Sequence, residues 1–285
     1  ITDKLTLYKG NGTPLIDTQI SLHSVFFGRA GLIFFMAFLC SSYSGKQTVL
    51  IHSHNDYQKN IPFYRAYSQQ VHTIEADIYA APASDGLLVA HDPHELDSAL
   101  SLDEMYLEPL IFLFGQNEGR PWRGSEQVLT LMIDLKTPLH PTIDRLIAKL
   151  KRHPEVFDPS VNPYAVRIVI SGSRPDPEAF GEYPRFISFD GFIDVDYTPQ
   201  QLERVAFISE PFFRYSKWKG GADTLSAEDR QVIESLVAKS HKTGKPIRFW
   251  GSPDTVNAWE TFRELGIDII NTDRPEACTL YFQEH

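Results

Sequence analysis

The stretch VLIHSHNDYQ, residues 49–58, runs an apolar segment straight into two histidines, an asparagine and an aspartate. Val49, Leu50 and Ile51 read as the body of a buried strand, and strand alternation puts Leu50, His52 and His54 on one face. A lone histidine in such a place is ordinarily a hydrogen-bonded core residue. Two imidazoles in line, followed at once by Asn55 and Asp56, ask for more than packing.

The same kind of run recurs along the chain: TIEADIY (73–79), LTLMIDLK (129–136), VRIVISG (166–172), FISFDG (186–191), AFISE (206–210), PIRFWG (246–251) and IDIINTD (267–273). Helical patterns separate several of them. In residues 226–244, Ser226 and Asp229 form a capping box, Val232, Ile233, Leu236 and Val237 an apolar face, and Gly244 a stop. Residues 253–266 repeat the theme, with Pro253 near the first turn and Gly266 at the end. Eight strands alternating with helices predict an α/β chain folded as a (β/α)8 TIM barrel. Its active site should lie at the C-terminal ends of the strands. The segment from Pro93 to Gln127 is longer than an ordinary connection and reads as an insertion after the second strand, over the mouth.

At 285 residues and 42% hydrophobic content, the chain suffices for one large domain. Its formal charge of -10 leaves no electrostatic footprint for nucleic acid, and an anionic substrate needs a local cation against that field. Two cysteines, Cys40 and Cys278, are too few for a disulfide framework. Arg29, the apolar run Ala30 to Cys40 and the small residues Ser42 to Ser44 have the layout of a secretory signal, and the run is too short to span a bilayer. Residues 1–44 are therefore expected to be an extension with a signal-like segment, and residues 45–285 the barrel, secreted or periplasmic. A lipid anchor at Cys40 fits less well, because Leu39 stands where a small residue is usual.

Alternation decides which strand-end residues share the mouth. Ile74, Ala76 and Ile78 take one face, leaving Glu75 and Asp77 on the other; Leu131, Ile133 and Leu135 likewise leave Met132, Asp134 and Lys136 inward. His91 follows Val89 on one face, and Arg248 and Trp250 share the inward face of their strand, where they could contact the substrate's organic half. Three neighbouring buried carboxylates cost several kcal/mol each, or protonate, unless compensated. A divalent cation with oxygen ligands, Mg²⁺ or Ca²⁺, is the simplest compensation. The histidines are then free for proton transfer. Ser171 and Asp190 also sit at strand ends and read as structural polar groups.

The order His54-Asn55, Glu75-x-Asp77, His91-Asp92 and Asp134-x-Lys136 resembles the PI-PLC-like phosphodiesterase superfamily. That group includes glycerophosphodiester phosphodiesterases, phosphatidylinositol-specific phospholipases C and spider-venom-type phospholipases D. RFWGSPD (248–254) and LGIDIINTDRP (265–275) are similar to the last two strands of glycerophosphodiesterases, so the likeness spans about residues 48 to 280. It implies one divalent cation on Glu75, Asp77 and Asp134 with Asn55, and Lys136 on the phosphate. It also implies His54 and His91 as an acid/base pair, with attack by a neighbouring substrate hydroxyl and a cyclic phosphate on the way. The motif can be laid on His52 or His54, so both are candidates. The chain lacks the His-Arg-Gly and Glu-Asn-Thr of glycerophosphodiesterases; Tyr57 or Gln58 stands where that Glu would fall, and DLKT is nearest the phospholipase D branch. The expected substrate is a small phosphodiester or a phospholipid headgroup, with transient membrane-surface contact.

Two other readings compete. His52-x-His54 also resembles the first strand of metal-dependent amidohydrolases, which need further histidine ligands that FISFDG and AFISE do not offer. A secreted binding barrel without chemistry would have lost a histidine or a carboxylate, and all are present.

Overall fold

The alternation along the strands separates two apolar bodies with the sheet between them. Ile74, Ile78, Leu131, Ile133, Leu135, Ile168, Ile170 and Phe189 belong to the large core that includes helical residues such as Ile143, Leu146, Ile233 and Phe262. Met132, Val169, Phe207 and Ile269 form a second, small cluster on the opposite side of the strands. That is how a closed barrel divides its side chains, with helices packed outside and a plug of apolar residues within.

The computed structural model describes residues 49–96 and 101–285, all within one compact unit, Lys46–His285. The signal-like segment at 29–44, Cys40 and the boundary at 44/45 lie outside the described residues. The strands are β1 (Leu50–Ser53), β2 (Thr73–Ala80), β3 (Leu87–Val89), β4 (Thr130–Leu135), β5 (Arg167–Gly172), β6 (Ile187–Gly191), β7 (Val205–Pro211), β8 (Ile247–Trp250) and β9 (Ile269–Thr272). All eight expected strands are present and parallel, and β1 pairs with both β9 and β2, which closes the barrel. The additional strand, β3, runs antiparallel on the C-terminal half of β2, Ile78 opposite Val89.

Local signals placed most helices. Ser226 accepts a hydrogen bond from Asp229 N at the head of Ala227–Lys242, and Gly244, at φ +74°, follows its end. The next helix, Val256–Glu264, starts later than the position of Pro253 suggests, because Thr255 supplies the cap.

The expected insertion after the second strand is present, but its described helical part packs on the barrel wall and not over the mouth. Asp103–Leu107 and Glu108–Gln116 form consecutive helical turns that bury Tyr106, Leu107, Leu110 and Phe114 in the large core. None of the described residues of 93–127 lines the cavity at the mouth. The apolar spacing of LDEMYLEPLIFLF serves a wall helix, and its Tyr106 hydroxyl donates to Asp56 at 3.1 Å. Asp56, which also accepts from Ser53 Oγ at 2.9 Å and Phe63 N at 2.5 Å, thus organises the loop after β1.

One glycine has a structural task at the mouth. Gly172 ends β5 at φ +68°, and a Cβ there would run into Asp134 Oδ1 and lie 2.6 Å from Leu135 O. Gly172→Ala is expected to lower stability by roughly 1–3 kcal/mol, read from the urea midpoint; an unchanged midpoint would contradict this close approach.

Candidate active site

At the C-terminal end of the barrel lies a cavity of about 330 Å³, lined by His54, Asn55, Glu75, His91, Asp134 and Lys136 on one side and by Arg174, Asp190, Phe192, Arg248 and Trp250 among others. The register of β2 on β4 builds its acidic wall, pairing Asp77 with Asp134 across the ladder and Glu75 with Met132. One carboxylate oxygen each from Glu75, Asp77 and Asp134 lies within 4.8 Å of the others. Asn55 joins the lining from a left-handed turn, φ 43° and ψ 52°, which asparagine tolerates better than most residues.

Asp77 is the hub. Its Oδ2 accepts from Tyr57 OH at 2.8 Å and Lys136 Nζ at 2.9 Å, with His91 Nδ1 at 3.2 Å. Its Oδ1 is buried with no hydrogen-bond partner. Lys136 Nζ also lies 3.4 Å from Asp134 Oδ1. Burial works against the Lys136 ammonium, but Asp134 and Asp77 outweigh it and keep its pKa above the ordinary lysine value. Burial pushes the Asp134 carboxyl up to about 6; Lys136 opposes this, and the Asp77 and Glu75 charges add to it.

The two histidines of β1 divide their tasks. His52 is buried: its Nε2 lies 2.6 Å from Glu75 Oε2 and 2.7 Å from Arg248 Nη1. Burial, reinforced by the Arg248 charge, pushes its pKa down to about 4, so the ring is neutral at pH 7. For Glu75, burial alone would raise the carboxyl; the His52 hydrogen bond and the Arg248 charge outweigh it and hold the group well below the usual carboxylate range. His54 faces the cavity instead, its Nδ1 donating to Asp273 Oδ1 at 3.0 Å. Lys59 Nζ donates to the same oxygen at 3.0 Å. The His54 bond first, and Lys59 after it, hold Asp273 down to about 2 against burial. His91, half exposed, has Nδ1 between Asp77 and the Tyr57 hydroxyl, the latter at 3.2 Å.

Arg248 lies at the cavity floor, buried among hydrogen-bond acceptors. Nε donates to Ser209 Oγ at 3.0 Å, and Nη1 to Glu75 Oε2 at 3.3 Å and Asn271 Oδ1 at 3.2 Å. Nη2 lies 3.7 Å from Asp190 Oδ2. Arg248 is thus a buried counter-charge that also lines the cavity floor. Trp250 does reach the rim, 39% exposed.

The structure therefore gathers Asn55, His54, Glu75, Asp77, His91, Asp134, Lys136 and Trp250 about one mouth, with His52 and Arg248 beneath it. The sequence reading gave no role to Asp273 or Arg174, and noted Tyr57 only as a position where a glutamate would fall. Continuing the alternation of β9 through Ile269 and Asn271 reaches Asp273; no such local signal marks Arg174, which lies 3.6 Å from Asp190 and stacks on Phe192.

A divalent cation fits this donor set. The three carboxylates converge without a thiolate, as hard cations require, and the buried, unpartnered Asp77 Oδ1 is an acceptor that a cation would satisfy.

The family described as AIM6-like phosphodiesterase domain matches residues 43–156, a stretch that holds every acidic and basic residue of the hub. Altered inheritance of mitochondria protein 6 of Kluyveromyces lactis is 34% identical over 298 residues, covering 78% of this chain and 70% of that protein. The protein of the same name from Eremothecium gossypii is 25% identical over 268 residues, covering 81% of this chain and 69% of its own length. Among solved structures, a glycerophosphodiester phosphodiesterase from Parabacteroides distasonis is similar with a TM-score of 0.49 at 15% identity, covering 84% of this chain and 99% of that one. The phosphodiesterase resemblance read from the motifs is borne out by the family match.

The buried charges under the cavity make a demand on stability that can be measured. Arg248→Met removes the one cation shared by Glu75 and Asp190 and leaves both carboxylates buried without it. A loss of about 3–5 kcal/mol is expected, read by urea denaturation; a near-neutral result would mean that Arg248 is not the counter-charge described.

Proposed function

The chain belongs to the family of Altered inheritance of mitochondria protein 6 and carries its AIM6-like phosphodiesterase domain; from that premise we propose that it is a metal-dependent phosphodiester hydrolase. The observation that carries the reading is the convergence of Glu75, Asp77, Asp134 and Lys136 on one cavity wall, with His54 and His91 lining the same cavity. Ion pairing alone would explain any one of these residues. It does not explain two hydrogen-bond-anchored imidazoles beside three carboxylates and an ammonium.

Glu75, Asp77 and Asp134, with Asn55, would hold the cation. When bound, it supplies charge neutralisation at the phosphoryl oxygens, usually the largest contribution to such a reaction. Lys136 adds a fixed positive charge beside the same position. His54 donates through Nδ1 to Asp273, which fixes the tautomer and leaves Nε2 as the proton-accepting atom. His91 is fixed in the same way by Asp77 and Tyr57 through Nδ1, so its Nε2 is the second proton-transfer atom. One imidazole takes the proton of the attacking water or substrate hydroxyl, the other gives one to the leaving alkoxide, and the roles exchange between steps. His52, neutral and tied to Glu75, holds that carboxylate and takes no direct part.

The amidohydrolase alternative lacks its ligands. The ends of β6 and β7 carry Asp190, Ser209 and Glu210 in place of histidines, and Glu210 is occupied by Ile193 N at 3.1 Å and the Tyr215 hydroxyl at 2.7 Å.

The test is hydrolysis of glycerophosphodiesters, phosphatidylinositol and lysophospholipids by the purified chain with added Mg²⁺ or Ca²⁺. His54→Ala and His91→Ala are each expected to lower kcat by about 10²- to 10⁴-fold. Asp273→Asn, which spoils the tautomer of His54 without removing it, is expected to cost about 10- to 100-fold. Wild-type turnover in His91→Ala would reject the two-histidine mechanism, and a severe loss in His52→Ala with normal turnover in His54→Ala would move the catalytic role to His52.

A further inference from the structure

Lys136, Arg248 and Arg174 all line the cavity, and they differ in what they already hold. Lys136 Nζ lies against Asp77 and Asp134, and Arg248 is buried among Glu75, Ser209 and Asn271. Arg174, two residues beyond β5, has no such set. Its side chain is only 9% exposed, yet among the described residues its one ion pair is Nη1 to Asp190 Oδ2 at 3.6 Å. That is longer than a hydrogen bond. Asp190 does not depend on it, because the same oxygen accepts from Ser171 Oγ at 3.2 Å and lies 3.7 Å from Arg248 Nη2. The guanidinium instead lies over the Phe192 ring, 3.7 Å from its centroid. Stacking uses a face of the guanidinium and leaves its N–H edge without an acceptor among the described residues. Donors held nearly out of solvent and left unpaired are costly unless something accepts from them.

We propose that Arg174 is a phosphate-binding residue of this cavity, its guanidinium edge donating to a phosphoryl oxygen on the side away from the Glu75–Asp77–Asp134 wall. The inference rests on the phosphodiester reading above. In the barrel β5 stands between β4, which carries Asp134, and β6, and the contacts of Arg174 with Asp190 and Phe192 lean it toward β6. A phosphoryl group beside Lys136 therefore has Arg174 across from it. The planar fork matches two oxygens of one phosphoryl group, a geometry that an ammonium does not offer. Lys136 is shared between two carboxylates, whereas Arg174 spends none of its hydrogen bonds on the protein, so its donors are open to an anion in a chain of formal charge -10. The Phe192 ring and the Asp190 charge hold the guanidinium in advance, which lowers the ordering cost of that contact and suits it to the charge that grows on a phosphoryl oxygen.

The test is calorimetric titration of inorganic phosphate, in buffer with Mg²⁺, into the wild-type chain, Arg174→Gln and Arg174→Lys, with thermal melts recording that each folds. The phosphate dissociation constant is expected to rise about 10- to 100-fold in Arg174→Gln. A smaller rise is expected in Arg174→Lys, which keeps the charge and loses the fork. Mg²⁺ affinity measured without phosphate is expected to match the wild type in both. No phosphate binding by the wild type, or equal phosphate affinity in folded Arg174→Gln, overturns the assignment. A lowered melt with phosphate affinity unchanged overturns it too and leaves Arg174 as a counter-charge of Asp190 alone. If Arg174→Gln does not fold, Arg174→Lys decides, and wild-type phosphate affinity in it overturns the assignment. Phosphate binding that depends on Arg174, without hydrolysis of any diester, refutes the hydrolase reading and leaves the phosphate contact standing.

Discussion

The parallel register of β2 against β4 sets Asp77 beside Asp134 across one ladder, and the rest of the mouth is arranged around that pair. Two buried carboxylates on neighbouring strands repel one another in a medium that screens poorly. Lys136, two residues beyond Asp134, reaches back to both, and Tyr57 and His91 attach to the Asp77 oxygen that Lys136 already holds. This leaves the other Asp77 oxygen without a partner and Asp134 with a pKa near 6. Lys136 serves both Asp77 and Asp134, while Glu75 is paired with Arg248; the charge left over on the Asp77–Asp134 pair is what a cation would answer. Gly172 belongs to the same constraint, because only a residue without Cβ lets β5 pass so close to Asp134.

A second charge layer lies beneath the first and is balanced separately. Arg248 serves Glu75, Asn271, Ser209 and, at longer range, Asp190, while neutral His52 fills the space between Arg248 and Glu75. Under this layer the apolar plug of Met132, Val169, Phe207 and Ile269 separates the polar network from the other end of the barrel. The two layers answer different needs. The lower fixes the orientation of Glu75 at a high cost of disruption, and the upper keeps His54, His91 and Lys136 open to the cavity.

Much of this was legible because strand alternation is local. Period two sorted Glu75 and Asp77 from Ile74 and Ile78, and Asp134 and Lys136 from Ile133 and Leu135, without knowledge of the fold. It also put His52 and His54 in line, although only burial separates their roles: the deeper ring meets Glu75 and Arg248, the outer one meets the cavity. What stayed hidden depends on distant partners. Asp273 meets His54 across 219 positions, and Arg248 meets His52 across 196. The helical segment at 103–116 looked like a lid because its apolar spacing says only that it packs, not against what. Asp56, adjacent to the site residues in sequence, turns away because Phe63 N and the Tyr106 hydroxyl claim it.

The central claim is that Glu75, Asp77 and Asp134 act together as the seat of one divalent cation. Titration calorimetry with Mg²⁺ and with Ca²⁺, on the wild-type chain and on Asp134→Asn with its fold checked by melting, tests it most directly. The account requires one saturable site in the wild type for at least one of the two ions, lost in the folded variant. Equal affinity in both proteins, or no saturable binding of either ion to the wild type, would contradict it.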